Sequence, residues 1–200
     1  MNLKLERPLV FIDLETTGLD SETHGIINIC AKLYNSSREV VSVFNAWCNA
    51  RDSEINLGAL KVNRFTISDI RSFKSEIEVI IDFCDWLLSL KVNGELILGG
   101  HNISFDLGFI KSKLKKYGIS GFDQVVSHRM LDTCSIGRFL VLTGILLPNT
   151  KVSLRDLAIV LGVEYDASKA HAAEYDVDLT AKVLFRMMDL TKGLINGKNQ

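Results

Sequence analysis

Apolar runs in the first half of the chain predict consecutive strands, followed by a helix. Residues 9–12 form an unbroken apolar run that predicts a first strand. Residues 26–35 and 39–48 predict two more strands, joined by a turn at residues 35–37. From Ser75 onward apolar residues recur at helical spacing, which predicts a helix of about three to four turns. Three consecutive strands indicate an antiparallel meander.

Strands and helices alternate in the second half. The predicted elements are a strand at residues 95–102, a helix at 105–117 ended by Gly118, a strand around 125–130, a helix from Thr133, a helix N-capped by Ser153, and a last helix at about 170–190. Strands first, and then strands alternating with helices, predict an α/β fold with a mixed sheet flanked by helices.

Composition and charge narrow the class of protein. The 200 residues are 47% hydrophobic and 24% charged, which is typical of a globular protein that forms a single domain. The net charge of −1 gives no global basic field for nonspecific nucleic-acid binding, so any polyanion must be held locally. A local basic run contains Lys111, Lys113, Lys115 and Lys116. Such a run is more often a solvated helix face than a binding patch.

The cysteines and the N-terminal residues indicate the cellular compartment in which the protein is expected. The four cysteines, Cys30, Cys48, Cys84 and Cys134, are far apart and lie in apolar stretches, so we expect buried free thiols in a reducing compartment. The N-terminus has an apolar run too short for a signal peptide, and no segment approaches the roughly 18 apolar residues of a membrane span. A cytoplasmic location without a membrane partner is the simplest expectation.

Two acids directly follow the first predicted strand. Residues two apart in an extended chain point to the same side, so Asp13 and Glu15 share one face and repel each other unless a cation neutralises them. Taken alone, the stretch could also be an ordinary strand end before a polar turn at Thr16, Thr17 and Gly18.

Two further acids lie on apolar stripes of predicted helices. The first stripe consists of Asp106, Ile110, Leu114 and Tyr117. The second consists of Asp176, Thr180, Val183 and Met187. A buried, unpaired carboxylate costs several kcal/mol, so each acid needs a cation or a hydrogen-bonding partner. Either both acids form salt bridges with distant residues, or they converge with Asp13 and Glu15 on metal.

Convergence on metal would make the site a hydrolytic one. Carboxylate oxygens suit Mg²⁺ or Mn²⁺, and two such ions about 3.5 to 4 Å apart would stabilise both oxygens of an in-line displacement at a phosphodiester. His171, five residues before Asp176, is a candidate general base, while the other three histidines lack such a companion. Glu174 and Asp178 point away from the stripe and are expected to be solvated.

Three stretches of the chain resemble, in order, the three motifs of the DEDDh 3′→5′ exonucleases, a DnaQ-like family. They are FIDLETTGL, HNISFDLGFI and HAAEYDVDLTAKV, and the likeness is strongest to the proofreading subunits and domains of bacterial replicative DNA polymerases. It runs from about Pro8 to Met188. The tyrosine version of the family would need Tyr-x3-Asp, but Tyr175 has Leu179 at that spacing.

This resemblance implies a ribonuclease H-like fold with a five-stranded mixed sheet between helices. It implies a single exonuclease domain over residues 1–200, with a core of about 8–190. The implied activity is metal-dependent 3′→5′ hydrolysis at nucleic-acid 3′ ends, with DNA favoured and proofreading as its role, releasing nucleoside 5′-monophosphates. The implied cofactors are two Mg²⁺ (or Mn²⁺) ions, and a DNA polymerase is an expected partner. An RNA-trimming exoribonuclease and a catalytically idle module that binds nucleic acid or a polymerase are the alternatives.

The resemblance also implies roles for the five central residues. It makes Asp13, Glu15, Asp106 and Asp176 the metal ligands and His171 the general base. Asp13 would bind both metals, Glu15 and Asp176 the metal nearer the nucleophile, and Asp106 would lie near the second metal.

Further residues are implied to meet the substrate. Thr16 and Thr17 would contact the 3′-terminal nucleotide, and Leu19 would be an apolar wedge beside its base. Asn102 and Phe105 are candidates for substrate contact or for support of the site.

The chain departs from the family pattern at two places. Asn28 stands where many relatives have a glutamate, and residues 62–66, VNRFT, stand where relatives often have a turn with Gly-Ile. Both departures bear on the surroundings of the site, and neither changes the five central positions.

Overall fold

The computed structural model describes residues 4–50, 52–90 and 92–197, with side chains described up to Lys192. Its strands are β1 (Leu9–Thr16), β2 (Ile26–Tyr34), β3 (Val40–Asn49), β4 (Lys74–Ser75), β5 (Ile97–Gly100) and β6 (Leu131–Asp132). Its helices are α1 (Leu57–Asn63), α2 (Ile67–Ser72), α3 (Glu76–Ser89), α4 (Ile103–Tyr117), α5 (Phe122–Val125), α6 (Thr133–Leu142), α7 (Leu154–Val160) and α8 (Ala173–Gly197). The predicted α/β class is confirmed.

All six strands form one mixed sheet in the order β4-β3-β2-β1-β5-β6. The meander β1-β2-β3 is antiparallel, as predicted, and β5 runs parallel to β1. The expectation of five strands is wrong by one, because a two-residue β4 also pairs with the end of β3. Two residues carry no periodicity, so the sequence pattern could not reveal this strand.

Strand β1 lies at the centre of the molecule, with helices on both of its faces. Val10, Ile12 and Leu14 pack into the core cluster that includes residues of α3 and α4. Leu9 and Phe11 pack on the opposite side against α8. Side chains alternate along a strand, so Asp13 and Glu15 belong to the α8 side of the sheet.

Several predicted boundaries need correction around the second half of the sheet. The strand expected around residues 125–130 is not formed: Val125 ends the short helix α5, and residues 126–130 are an irregular connection to β6, with Val126 in a single bridge to Leu96. Helix α4 begins at Ile103 rather than at 105, and α8 begins at Ala173 rather than near 170. No described helix combines the length and apolar character that a membrane crossing requires.

Helices α1 and α2 were not predicted from the sequence. They have seven and six residues, and each has a single buried residue, Leu60 in α1 and Ile70 in α2. A helix with one buried position has no apolar stripe that a periodicity argument can detect. Together they form the connection between β3 and β4.

The prediction of four buried thiols holds for two cysteines. Cys30 and Cys48 are buried, whereas Cys84 and Cys134 are half-buried, and all four are free. Cys84 lies on α3 and Cys134 on α6, where an apolar neighbourhood in sequence does not guarantee full burial.

The lysine run on α4 is not one solvated face, because Lys113 is 1% exposed. Its Nζ donates hydrogen bonds to the carbonyl oxygen of Ser21, at 3.1 Å, and to that of His24. Lys113 therefore ties α4 to the turn that follows β1. Lys111 and Lys115 are exposed, so the solvated-face interpretation suits them.

We expect Lys113→Ala to lower the free energy of unfolding by about 2 to 3 kcal/mol, because it leaves two carbonyl groups unpaired and opens a cavity. Lys115→Ala on the same helix is the matched control and should change it by less than about 0.5 kcal/mol. Urea denaturation followed by circular dichroism measures both. Equal effects of the two substitutions would show that the Lys113 contacts do not stabilise the fold.

Candidate active site

Three of the predicted acids converge where β1 ends and α8 begins. Asp13 and Glu15 come from β1, and Asp176 comes from the first turn of α8. One oxygen atom from each carboxylate lies within 4.8 Å of the other two. Asp13 and Glu15 lie on the face of β1 against which α8 packs, and this packing brings Asp176 to them.

Asp106 approaches the same strand from the first turn of α4. It is 3% exposed, and its Oδ1 accepts a hydrogen bond of 3.0 Å from the backbone N–H of Leu14, between the two acids of β1. The start of α4 is itself fixed, because the N–H of Asn102 donates to Oδ1 of Asp132 at 2.7 Å. Asp106 is thereby held against β1, next to the group formed by the other three acids.

Burial and mutual repulsion make these carboxylates hold protons strongly. Burial, followed by the charges of Asp106, Glu15 and Asp176, raises the pKa of Asp13 well above its usual range. Burial, with the charges of Asp176 and Asp106, raises the pKa of Glu15 to about 8. Burial also raises the pKa of Asp106 to about 8, although hydrogen bonds from backbone N–H groups act in the opposite direction.

Salt bridges do not neutralise the cluster. The ion pairs found within the described residues join lysines and arginines to other carboxylates, and none includes Asp13, Glu15, Asp106 or Asp176. Of the two alternatives that the sequence left open, convergence on a cation fits this arrangement better. The donors are all carboxylate oxygens, a set that suits hard divalent ions.

His171 lies at the mouth of the cluster, in the loop before α8. Its backbone N–H donates to Oδ2 of Asp176 at 3.0 Å. The residue is exposed and lines two cavities, one of about 450 Å³ shared with Asp13 and Asp176 and one of about 560 Å³ shared with Glu15. The structure therefore brings the predicted base and the acids to the same opening.

The residues predicted to meet the terminal nucleotide differ in exposure. Leu19 is 84% exposed just beyond β1, in a position to contact a ligand. Thr16 is buried, and its hydroxyl donates to the carbonyl of Gly18 at 2.7 Å. Thr17 is fully buried, and its hydroxyl donates to the carbonyl of Glu54 at 2.6 Å, so its side chain supports the turn instead of facing the opening.

Asn102 and Phe105 lie at the start of α4, beside Asp106. Asn102 is exposed and has a positive φ of 59°, in the left-handed region. The ring of Phe105 packs against that of Phe109, with centroids 5.0 Å apart. Neither residue lines the two cavities that include His171.

Sequence reasoning missed His101, which lines the smaller cavity together with Asp13 and Asp176. Its Nδ1 lies 2.9 Å from Oγ1 of Thr133, and burial lowers the pKa of the imidazole, which favours its neutral form. A signal existed, because His101 directly follows β5, the strand that runs parallel to β1.

The expectation that Asp178 is solvated is wrong. Nζ of Lys32, a buried residue of β2, lies 2.9 Å from Oδ2 of Asp178 and 3.3 Å from Oε1 of Glu174. Tyr34 also donates its hydroxyl to Asp178, at 2.9 Å. Glu174 itself is exposed, as expected. This pairing fastens the first turns of α8 to the sheet, next to Asp176.

Both departures from the family pattern line the larger cavity. Asn28, opposite Glu15 in the β1-β2 register, donates its side-chain amide to Oδ1 of Asn45 at 3.0 Å and to the carbonyl of Ala46 at 2.9 Å. In the other departure, Asn63 donates to the carbonyl of Thr16 at 3.0 Å. Both neutral amides form part of the cavity wall beside Glu15.

Comparison with known proteins identifies the family. Residues 10–184 match the family model RNase_T, described as exonuclease. The chain is 27% identical over 183 residues to the DNA polymerase III PolC-type of Bacillus subtilis (strain 168), covering 92% of this chain. It is 29% identical over 199 residues to that of Staphylococcus epidermidis RP62A, covering 96% of this chain. The chain spans only 12% of the length of each polymerase.

Two solved structures that share the fold of this chain are exonucleases. Exonuclease I of E. coli in complex with a dT13 oligonucleotide matches with a TM-score of 0.80 at 17% identity, over 96% of this chain and 43% of that one. Exonuclease I of Methylocaldum szegediense matches with a TM-score of 0.75 at 19% identity, over 92% of this chain and 40% of that one. The expected ribonuclease H-like exonuclease fold is confirmed. The chain therefore belongs to the RNase_T exonuclease family, as its resemblance to the DEDDh exonucleases led us to expect.

Proposed function

We propose that this chain is a metal-dependent 3′→5′ exonuclease of the DEDDh type, which removes nucleoside 5′-monophosphates from the 3′ ends of nucleic acid. The observation that carries the proposal is the convergence of Asp13, Glu15 and Asp176, with Asp106 bonded to β1 between the first two and His171 at the opening. We take residues 1–200 as a single exonuclease domain with a core of about 8–190.

The acids fit two divalent cations, Mg²⁺ or Mn²⁺. Four carboxylates, two of them buried and two half-buried, balance the charge of two such ions, and no ion pair found within the described residues competes for these acids. When bound, the ions would supply Lewis-acid stabilisation of charge on the phosphodiester. Asp13 would hold both ions, Glu15 and Asp176 the one nearer the attacking water, and Asp106 would act near the other.

His171 takes the proton from the attacking water. Imidazole is the side chain most often used as a base at neutral pH, and that of His171 borders both cavities beside the acids. The hydrogen bond from its backbone N–H to Asp176 fixes the loop relative to one of the metal ligands. Proton transfer and metal binding thus depend on the same short stretch of chain.

The residues beside the acids hold the 3′ end of the nucleic-acid substrate. Leu19, the most exposed of these, packs against the terminal base as an apolar wedge. Thr16 and Thr17 hold the turn from which Leu19 projects, partly through their hydroxyls. We assign Asn102 and Phe105 to support of the α4 start that carries Asp106.

DNA is the favoured substrate, and proofreading beside a DNA polymerase the favoured role. This rests on the PolC-type DNA polymerases that the chain resembles and on the exonuclease I complex with dT13. An RNA-trimming activity would use the same catalytic groups as DNA proofreading and would differ from it only in the substrate. An idle binding module would not need all five central residues, which this chain retains.

We expect Asp13→Asn to remove nearly all Mg²⁺-dependent release of mononucleotide from labelled 3′ ends, because it weakens both metal sites. His171→Ala should slow release by about 10²- to 10⁴-fold, the usual contribution of a general base. His128→Ala, at an exposed histidine outside the two cavities, is the control and should match the unmodified protein.

The same assay separates the alternatives when single-stranded DNA, mismatched duplex DNA and single-stranded RNA are compared, with EDTA as the blank. If the protein prefers RNA, its proposed role changes from proofreading to RNA trimming. Full activity of His171→Ala would show that His171 is not the general base. No release from any substrate by folded, metal-loaded protein would leave the idle module as the function.

Metal-free protein should lose stability as pH rises, because the pKa of Glu15 in the folded state, about 8, lies above its ordinary value of 4.5. The stabilisation from protonated Glu15 is fully present below the ordinary value and is lost as pH approaches 8. We expect Glu15→Gln to melt at a higher temperature than the unmodified protein in EDTA at pH 8, with the difference shrinking towards pH 5.

Thermal melts at pH 5, 6.5 and 8 measure this difference. Glu95→Gln, at an exposed glutamate, is the control and should follow the unmodified protein at each pH. Adding Mn²⁺ at pH 8 should raise the melting temperature of the unmodified protein more than that of Glu15→Gln. A lower melting temperature for Glu15→Gln in EDTA at pH 8 would mean that Glu15 is a stabilising ion-pair partner and not an unneutralised metal ligand.

A further inference from the structure

The end of α1 is fastened to both sides of the candidate site by two consecutive residues. The side-chain amide of Asn63 donates to the carbonyl of Thr16, next to Glu15, at 3.0 Å. The guanidinium Nη1 of Arg64 donates to the carbonyl of Ser168, three residues before His171, at 2.5 Å. One helix end therefore joins the strand that carries the acids to the loop that carries the candidate base.

Arg64 occupies an unusual backbone conformation for its type. It is the C-cap of α1 with a φ of 61° and a ψ of 27°, in the left-handed region, and its N–H donates to the carbonyl of Leu60. Glycine is the usual residue at such a position because it has no Cβ to clash. An arginine here has unfavourable backbone geometry, and its side chain reaches the loop of His171.

The loop at residues 166–172 is otherwise held by short-range contacts. The carboxylate of Asp166 accepts hydrogen bonds from the N–H and hydroxyl of Ser168, and the N–H of Asp166 donates to the hydroxyl of Tyr175 at 2.6 Å. His171 has a positive φ of 62° and is bonded through its N–H to Asp176. These contacts tie the loop to itself and to α8, whereas the Arg64 bond joins it to a residue 104 positions earlier.

We propose that Arg64 is a positioning residue for the candidate base: by holding the carbonyl of Ser168 it fixes the loop at the place from which His171 faces the metal-binding acids. The planar guanidinium loses less conformational freedom on forming such a bond than a lysine ammonium would. Both Arg64 and His171 line the larger cavity with Glu15, so a shift of this loop changes the distance between base and acids. The catalytic part of this inference rests on the proposed function.

The first test needs no activity. Hydrogen exchange of the metal-free protein, residues 1–200, is compared for the unmodified chain, Arg64→Gly and Arg71→Ala. Glycine removes the guanidinium and relieves the left-handed backbone, so this variant should fold at least as well as the unmodified protein. Arg71, an exposed arginine of α2 that does not line the cavity, is the control.

We expect amides of residues 168–172 to exchange at least about fivefold faster in Arg64→Gly, with β1 and the body of α8 unchanged. Arg71→Ala should leave the loop as it is. Unchanged exchange of the loop in Arg64→Gly would overturn the proposal.

The second test is a double-mutant cycle with His171→Ala, using release of mononucleotide from single-stranded DNA. Arg64→Gly should lower kcat about tenfold with KM altered less than twofold, because the base and not the substrate is displaced. Arg64→Lys should recover part of the loss. In the His171→Ala background, Arg64→Gly should have little further effect, since the base it positions is already gone.

If the losses in kcat of Arg64→Gly and His171→Ala multiply in the double variant, the proposal is overturned. It is also overturned if Arg64→Gly raises KM and makes KM depend less on salt, and Arg64 is then a contact to substrate phosphate. If the unmodified protein releases no mononucleotide, the proposed function fails. The exchange experiment then still decides whether Arg64 holds the loop. The failures of the two proposals are thus distinguishable.

Discussion

Four carboxylates placed together at one poorly hydrated end of a strand are the constraint on which the rest of the structure depends. Burial raises the pKa values of Asp13, Glu15 and Asp106, and the charges of the neighbouring acids of the cluster raise those of Asp13 and Glu15 further. Such a cluster is unfavourable unless cations or protons neutralise it. The fold holds it in place because β1 is packed on both faces, and α4 and α8 are anchored to it by apolar cores on opposite sides.

Positive charge is present nearby but is used elsewhere. Lys32 pairs with Asp178 and Glu174, and Lys113 holds the turn beyond β1 through two carbonyl groups. These lysines fasten the elements that carry the acids without reducing the charge of the acids themselves. On the proposed function, divalent cations would neutralise these acids and would supply the positive charge that a chain of net charge −1 needs to act on a polyanion.

Periodicity predicted the main features of this arrangement. The alternation of a strand placed Asp13 and Glu15 on one face, and the stripes of two helices placed Asp106 and Asp176 on inward faces, but periodicity alone left open whether the acids converge or form separate salt bridges. The resemblance to an exonuclease family favoured convergence, and the structure brings Asp13, Glu15 and Asp176 together and buries Asp106. The features that the sequence could not show depend on contacts between residues far apart in the chain or on an unusual backbone conformation. The burial of Thr17 under a turn is one such feature. The pairing of Lys32 with α8 and the left-handed Arg64 are two others, since neither leaves a periodic signal.

The number of divalent ions that the chain binds tests the central claim most directly. Calorimetric titration of Mn²⁺ into the protein at pH 8, with a nucleoside 5′-monophosphate present to complete the coordination, counts those ions. The account predicts two ions per chain for the unmodified protein, and loss of tight binding when Asp176 is changed to Asn. A folded protein that binds no Mn²⁺ at millimolar concentration, or binds it equally well without the Asp176 carboxylate, would contradict the account.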